Sequence, residues 1–262
     1  MEHDIKVPIL ADELNAGRTP EILFWVGCAG SYDDRAKKVT RSFVNILNQL
    51  DISFAILGNE EQCTGDPARR AGNEFVFQML AQQNIQTLNG YGVKKIVCSC
   101  PHCFNTLKNE YPELGGNYEV IHYAQFLKSF IEEGKIKLSD KDQANVTYHD
   151  SCYLGRINGE YEAPRAVINA LYDDINEMKR SKQNGLCCGA GGAQMFKEDE
   201  PGEKRINVER AEEIVATGAK TVVANCPFCI TMLEDGFKAL DKQDEMVVYD
   251  LSELILNNQN KK

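Results

Sequence analysis

Two periodicities alternate along the chain. Short apolar runs rich in branched and aromatic residues, "EILFWVG", "SFAIL", "KKIVCS" and "YEVIH", read as strands. Between them lie stretches with apolar positions three and four apart: "DDRAKKVTRSFVNILNQL", "ARRAGNEFVFQMLAQQNIQTLNG", "CFNTLKNEY" and "AQFLKSFIEE". These predict helices, the first with acids in its opening turn. The order then begins again. Strand patterns "VTYHD", "INEMK", "KTVVAN" and "MVVYD" interleave with helical patterns "APRAVINALY", "EKRINVERAEEIVATG", "CITMLED" and "LSELIL". Such alternation predicts an α/β fold of two pseudo-repeated halves, each with a mainly parallel sheet covered by helices. The polar stretch "EGKIKLSDKDQAN" places the boundary near 134–145. The expected division is an N-terminal extension over 1–20, a first repeat over 21–140 and a second over 141–262.

The cysteines carry the same repeat. They fall at 28, 63, 98, 100, 103, 152, 187, 188, 226 and 229. Cys28 to Cys152 and Cys63 to Cys187 are both 124 positions, and Cys100 to Cys226 and Cys103 to Cys229 are both 126. "CPHC" answers "CPFC", "QCTG" answers "LCCG", and "EVIHYAQFL" answers "MVVYDLSEL". This is an internal duplication. Cys28 and Cys152 follow the first strand of each half, whereas Cys100 and Cys226 follow a later strand and open a helix. Open parallel sheets gather ligands beyond the carboxyl ends of their strands. Helix N-termini also favour thiolates, because free N–H groups point at negative charge.

Composition narrows what these cysteines do. No apolar run approaches the ~20 residues that cross a bilayer. The charged N-terminus lacks an apolar secretory core, so the expected location is the cytoplasm. There, ten cysteines read as ligands or redox groups rather than disulfides. A net charge of −10 argues against nucleic acid, which needs clustered Lys and Arg. The second half offers Cys152, Cys187, Cys188, Cys226 and Cys229. Four thiolates suffice for zinc or a cubane iron–sulfur cluster. A fifth points to an assembly with a bridging thiolate, or is a spare. Vicinal cysteines are poor staples. Gly189, Gly191 and Gly192 remove side chains and let backbone N–H groups approach anionic sulfur, as cofactor-binding positions. "GAGG" fails the dinucleotide fingerprint, since Gln194 stands at the third glycine position. The first half has Cys28, Cys63, Cys100 and Cys103, with Thr64 in the place of Cys188. Zinc, a cubane cluster and an empty copy all remain open there. Cys98 reads as a small buried residue at a strand end.

Four other features invite a reading. His149, three residues before Cys152, can hydrogen-bond a sulfide or shuttle a proton, although a histidine that only fixes its loop is the simpler expectation. His102 can stack on or contact a partner, and Phe228 fills its position in the second repeat, which argues against a required ligand role. "DDR" is most simply a capped helix start. Arg69 and Arg70 near Cys63 balance anionic sulfur, dock an acidic partner, or merely open a solvated helix.

The duplicated set of Cys, Cys-Cys-Gly and Cys-Pro-x-Cys resembles the cysteine-rich (CCG) domain family of the heterodisulfide reductases. The resemblance implies a non-cubane 4Fe–4S cluster on Cys152, Cys187, Cys188, Cys226 and Cys229. In the first half, where Thr64 departs from the pattern, it leaves a second 4Fe–4S cluster or zinc. "FWVGCAGSYDDRAKK", "CTGDPARRAGNEFVFQ", "CPHCFNTLKNEYPELGGNYEV", "TYHDSCYLGRINGEYEAPR" and "CCGAGGAQMF" together look like the cytosolic C-terminal portion of bacterial electron-transfer-flavoprotein:menaquinone oxidoreductases. That likeness runs from about residue 20 to the end. It implies an iron–sulfur electron-transfer subunit of an oxidoreductase complex. Electrons would pass from an electron-transfer flavoprotein, or another flavoprotein, toward a membrane quinone-reducing partner. The membrane and ferredoxin-like parts would sit on another chain or in a longer one, holding this region at the inner membrane face. Two alternatives stand beside it: a heterodisulfide reductase-like component that works on a disulfide, and a zinc-stabilised binding module.

Overall fold

A computed structural model describes residues 5–198 and 201–261. Of the extension expected over 1–20, residues 1–4 lie outside that range. One compact unit ends at Phe126 and the second begins at Leu127.

The first unit is built on a four-stranded parallel sheet, β1 (Ile22–Trp25), β2 (Phe54–Ala55), β3 (Lys95–Cys98) and β4 (Glu119–His122), in the order β2-β1-β3-β4. Every residue of β1 is buried, as a strand covered on both faces requires. The helix Asp34–Gln49 starts where the "DDR" pattern predicts, with the Asp33 carboxylate accepting from the Ala36 N–H at 2.7 Å. Its apolar stripe, including Val39, Phe43 and Leu47, lies inward. Phe43 stacks edge-on against Phe24 at 5.0 Å and Tyr123 at 5.6 Å. Ahead of β1, the helix Leu10–Asn15 follows Ile9, which bridges to Ile56 beside β2.

The second unit repeats the core of that sheet with β5 (Val146–Tyr148), β6 (Thr221–Val223) and β7 (Val247–Tyr249), in the order β5-β6-β7, all parallel. The α/β class and the repeated halves therefore agree with the pattern of the sequence.

Three elements differ in detail. "INEMK" is reduced to one parallel bridge, Val146 with Ile175, because the following side chains are drawn elsewhere. Asn176 donates to the Thr217 carbonyl, and Glu177 is held by Arg165. The helix expected from Ala68 to Gly90 is broken into Asp66–Arg70 and Glu74–Gly90. Gly72 turns left-handed at φ +86°, and the Asn73 side chain caps the second piece. "CFNTLKNEY" passes from a short α-helix, Pro101–Asn105, into a π-turn, Thr106–Glu110.

Candidate metal centres

The crossovers carry each cysteine to the carboxyl edge of its own sheet. In the second unit β5 runs into His149–Cys152, and β6 runs into Asn225 and Cys226. Cys226 is the N-cap of the helix Pro227–Ala239, and Pro at its first position costs no hydrogen bond. Cys187 and Cys188 arrive on the loop between these elements.

The five thiols act on one another's titration: Cys152 and Cys188 on Cys187, and Cys188 and Cys226 on Cys229. Donation from Cys152, then from Cys188, together with the Gly189 N–H at 3.3 Å, holds the Cys187 thiol far below its usual range. Cys152 is driven up, first by its bond to Cys187 and then by burial. Cys188 and Cys229 are raised by their donated thiol bonds and by burial. Cys188, Cys226 and Cys229 are buried, while Cys152 and Cys187 are half-buried. Ser151 Oγ lies 3.5 Å from Cys229 Sγ.

Gly189 takes φ +90°, and a Cβ there would stand 3.3 Å from Ile206 and 3.4 Å from Met232. The crowding comes from protein side chains. Gly192 is left-handed at φ +68° but open, and Gly191 is also open. A cleft of about 370 Å³ adjoins Gly189, lined among others by Met195, Lys197, Lys204 and Arg205.

The polar shell of this site is buried. Arg165 binds both oxygens of Asp150, at 2.8 and 2.9 Å, and also Glu177. Burial alone would lower the Arg165 pKa, but these two carboxylates raise it. His149 has no exposed surface, and one of its ring nitrogens lies within 4.8 Å of Cys188 and Cys229 Sγ. Burial, then the Arg210 charge, holds the ring near pKa 3. Two buried N–H groups at this edge, His149 Nε2 and Asn225 Nδ2, have no acceptor among the described residues. Buried donors without partners are costly, so these two suit an acceptor from outside the described residues. Five converging sulfurs and these N–H groups suit an anionic, sulfur-rich metal group. The donor set fits the five-thiolate cluster.

The first unit assembles a smaller set. Cys28 donates to Cys63, and the charge of Cys103 also acts on Cys28. That donation, with the Gly65 N–H at 3.5 Å, draws Cys63 down to about 6 against burial. Cys100 is the buried N-cap of Pro101–Asn105, three residues before Cys103. Thr64 Oγ1 lies 4.0 Å from Cys103 Sγ. Glu61 accepts from the N–H groups of Val26 and Gly27, at 3.0 and 2.6 Å, and burial pushes its pKa up to about 7. Cys98 is fully buried, its sulfur 3.9 Å from the Ile121 carbonyl.

His102 is buried, with Nδ1 2.9 Å from Asp66 Oδ2. Arg69 and Arg70 do not stand free. Arg70 binds Asp66, and both arginines bind Glu110. Burial pushes the Asp66 carboxyl up, but His102 and Arg70 outweigh it and leave the pKa lowered.

Sequence reasoning missed Arg210, Ser151, Glu61 and the Asp66–His102 pair. For Arg210 a signal existed. It falls on the inward stripe of "INVERAEEIV" with Asn207, Ala211 and Ile214, where a polar residue needs a purpose.

A family model for the cysteine-rich domain matches residues 22–108 and 146–234. The "EtfAB:quinone oxidoreductase" of Syntrophomonas wolfei is 46% identical over 245 residues, 91% of this chain and 34% of that protein. The "Probable iron-sulfur-binding oxidoreductase FadF" of Bacillus subtilis is 44% identical, over 96% of this chain and 36% of that protein. One polypeptide of the "Dihydromethanophenazine:CoB--CoM heterodisulfide reductase" of Methanosarcina barkeri is 37% identical, over 90% of this chain and 58% of that protein. The chain thus spans about a third of the two bacterial relatives. A crystal structure of a hypothetical protein from Helicobacter pylori shares the fold at a TM-score of 0.58 and 11% identity, covering 93% of this chain and 50% of that one.

Proposed function

The chain belongs to the cysteine-rich (CCG) domain family, and from that premise we propose that it is the electron-transfer part of an iron–sulfur oxidoreductase. Its donor is a flavoprotein and its acceptor a quinone-reducing membrane partner. The observation that carries this reading is the gathering of five free cysteines at one sheet edge, beside buried N–H groups that lack acceptors among the described residues.

Cys152, Cys187, Cys188, Cys226 and Cys229 would hold a 4Fe–4S cluster. Such a cluster accepts and releases single electrons. The polypeptide supplies the rest. The Gly189 N–H favours the Cys187 thiolate, and the helix opening at Cys226 favours negative sulfur. Burial of Cys188, Cys226 and Cys229 keeps water from the inner sulfurs, whereas half-buried Cys152 and Cys187 leave a side open to a partner. Cys28, Cys63, Cys100 and Cys103 would hold a second cluster or zinc.

A disulfide-cleaving role is the runner-up. The cleft beside Gly189, rimmed by Lys197, Lys204 and Arg205, has room for a small anionic substrate.

The deciding experiment is anaerobic purification with iron, sulfide and zinc analysis, followed by reduction with electron-transfer flavoprotein in one arm and a thiol–disulfide pair in the other. Iron, sulfide and reduction by flavoprotein are expected. Zinc alone would sink both redox readings, and turnover of disulfide without flavoprotein reduction would replace the first with the second.

A further inference from the structure

His149 is buried without exposed surface at the end of β5, with one ring nitrogen within 4.8 Å of Cys188 and Cys229 Sγ. Its other contacts decide what it can do there. Arg210 Nε donates to His149 Nδ1 at 3.0 Å. A guanidinium only donates, so Nδ1 must present its lone pair. The single proton of the neutral ring therefore sits on Nε2. That N–H is buried and has no acceptor among the described residues.

Arg210 is itself fixed. It is fully buried, and its Nη1 donates to the Arg180 carbonyl and to Glu213, both at 2.9 Å. Glu213 is held in turn by Arg180. The lock on the imidazole is thus a part-buried ion-pair network, with Arg210 at its buried end, anchored on the helix Ile206–Val215.

A histidine with its Nδ1 lone pair engaged and its Nε2 protonated has no lone pair left for a metal. We propose that His149 is a positioning residue whose Nε2–H, locked in that tautomer by Arg210, donates to sulfur of the group held by the five cysteines and favours its reduced form. This rests on the electron-transfer reading. The direction follows from charge: reduction adds negative charge to the cluster, and an N–H aimed at its sulfur stabilises that state. Hydrogen bonds to the sulfurs are among the determinants of iron–sulfur potentials.

The test has two arms. In apoprotein labelled with 15N-histidine, His149 should show a protonated Nε2 and an unprotonated Nδ1, and Arg210→Met should blur that preference toward a tautomer mixture. In anaerobic holoprotein, the potential is read on the paramagnetic signal that Cys188→Ser removes. His149→Gln keeps an amide N–H and should stay within about threefold of the wild-type redox equilibrium. His149→Leu should retain iron but shift that equilibrium about tenfold toward the oxidised state, some 59 mV for one electron.

Loss of iron in both His149 variants, as in Cys188→Ser, would make His149 a ligand and overturn the proposal. An unshifted potential in iron-replete His149→Leu would reduce it to packing. A proton found on Nδ1 in the apoprotein would overturn the lock, whatever metal the protein carries. Wild-type protein without iron would sink the electron-transfer reading and the donation to its cluster together, while the tautomer arm still decides what Arg210 does.

Discussion

Thr64 and Cys188 occupy the same place in the two repeats and meet the same neighbour. Thr64 Oγ1 lies 4.0 Å from Cys103 Sγ, and Cys188 accepts from Cys229, the repeat equivalent of Cys103. The glycine that follows is left-handed in both, Gly65 at φ +88° and Gly189 at φ +90°. Each gives its N–H to the cysteine two residues before it. The backbone cradle has therefore been kept while its lining diverged. Trp25 stands where His149 does, Gly27 where Ser151 does, Val26 where Asp150 does, and Asn84 where Arg210 does. Trp25 Nε1 and His149 Nε2 are both buried N–H groups without an acceptor among the described residues. Asn84 instead ties the Cys63 carbonyl and Tyr111 together. A duplicated scaffold constrains the backbone, whose left-handed conformation favours glycine, more tightly than the side chains that tune what it holds.

The largest expected break in this comparison is Cys188→Ser. It should remove the iron of the second half outright, by metal analysis, while Cys98→Ala keeps it. Metal sites and their loops fold together, so local order should fall too. Full retention of iron would reduce the site to four ligands. The converse change, Thr64→Cys, restores the fifth thiol in the first half and should alter its iron content or paramagnetic spectrum. No change in either would mark that site as one that takes no cluster.

Arg165 and Arg41 are also repeat equivalents, but Arg165 is buried against Asp150, whereas Arg41 is exposed on the helix Asp34–Gln49. Arg165→Ala should cost about 3–5 kcal/mol in denaturant unfolding, because it leaves Asp150 buried and unpaired. Arg41→Ala should stay within about 0.5 kcal/mol. Comparable costs would mean that the Arg165–Asp150 pair contributes no more than a solvated arginine does.

Smaller still is the difference between the two cradle glycines. A Cβ on Gly65 would approach the Phe77 ring to 2.9 Å and its backbone to 3.1 Å. Gly65→Ala should cost about 2–4 kcal/mol, from left-handed strain and overpacking together. At Gly189 the nearest atoms stand at 3.3 to 3.5 Å, so Gly189→Ala should cost about 1–2 kcal/mol. Urea titrations of the apoprotein measure both. Equal costs would leave left-handed strain, without packing, as the whole effect at each site.

Strand and helix order, the repeat and the family were legible in the sequence, because they rest on local periodicity and on spacing along the chain. Buried parallel strands must be apolar on both faces, as "ILFW" is, and helices must carry a stripe, as Val39, Phe43 and Leu47 do. Cys-Cys-Gly and Cys-Pro-x-Cys are short enough to be read directly. The break at Gly72 carries local signals, a glycine followed by a capping Asn, whereas the reduction of "INEMK" to one bridge was not legible, since it depends on what distant side chains bind. Tertiary structure alone decided the partners. Arg210 lies 61 positions from His149, and Asp66 lies 36 from His102. A buried polar group is satisfied by whatever the fold brings within hydrogen-bond reach, and no local pattern encodes that distance. The sequence by itself determined which atoms could bind metal; the fold decided which nitrogen of His149 carries its proton, because that proton's place is set by a guanidinium from another helix.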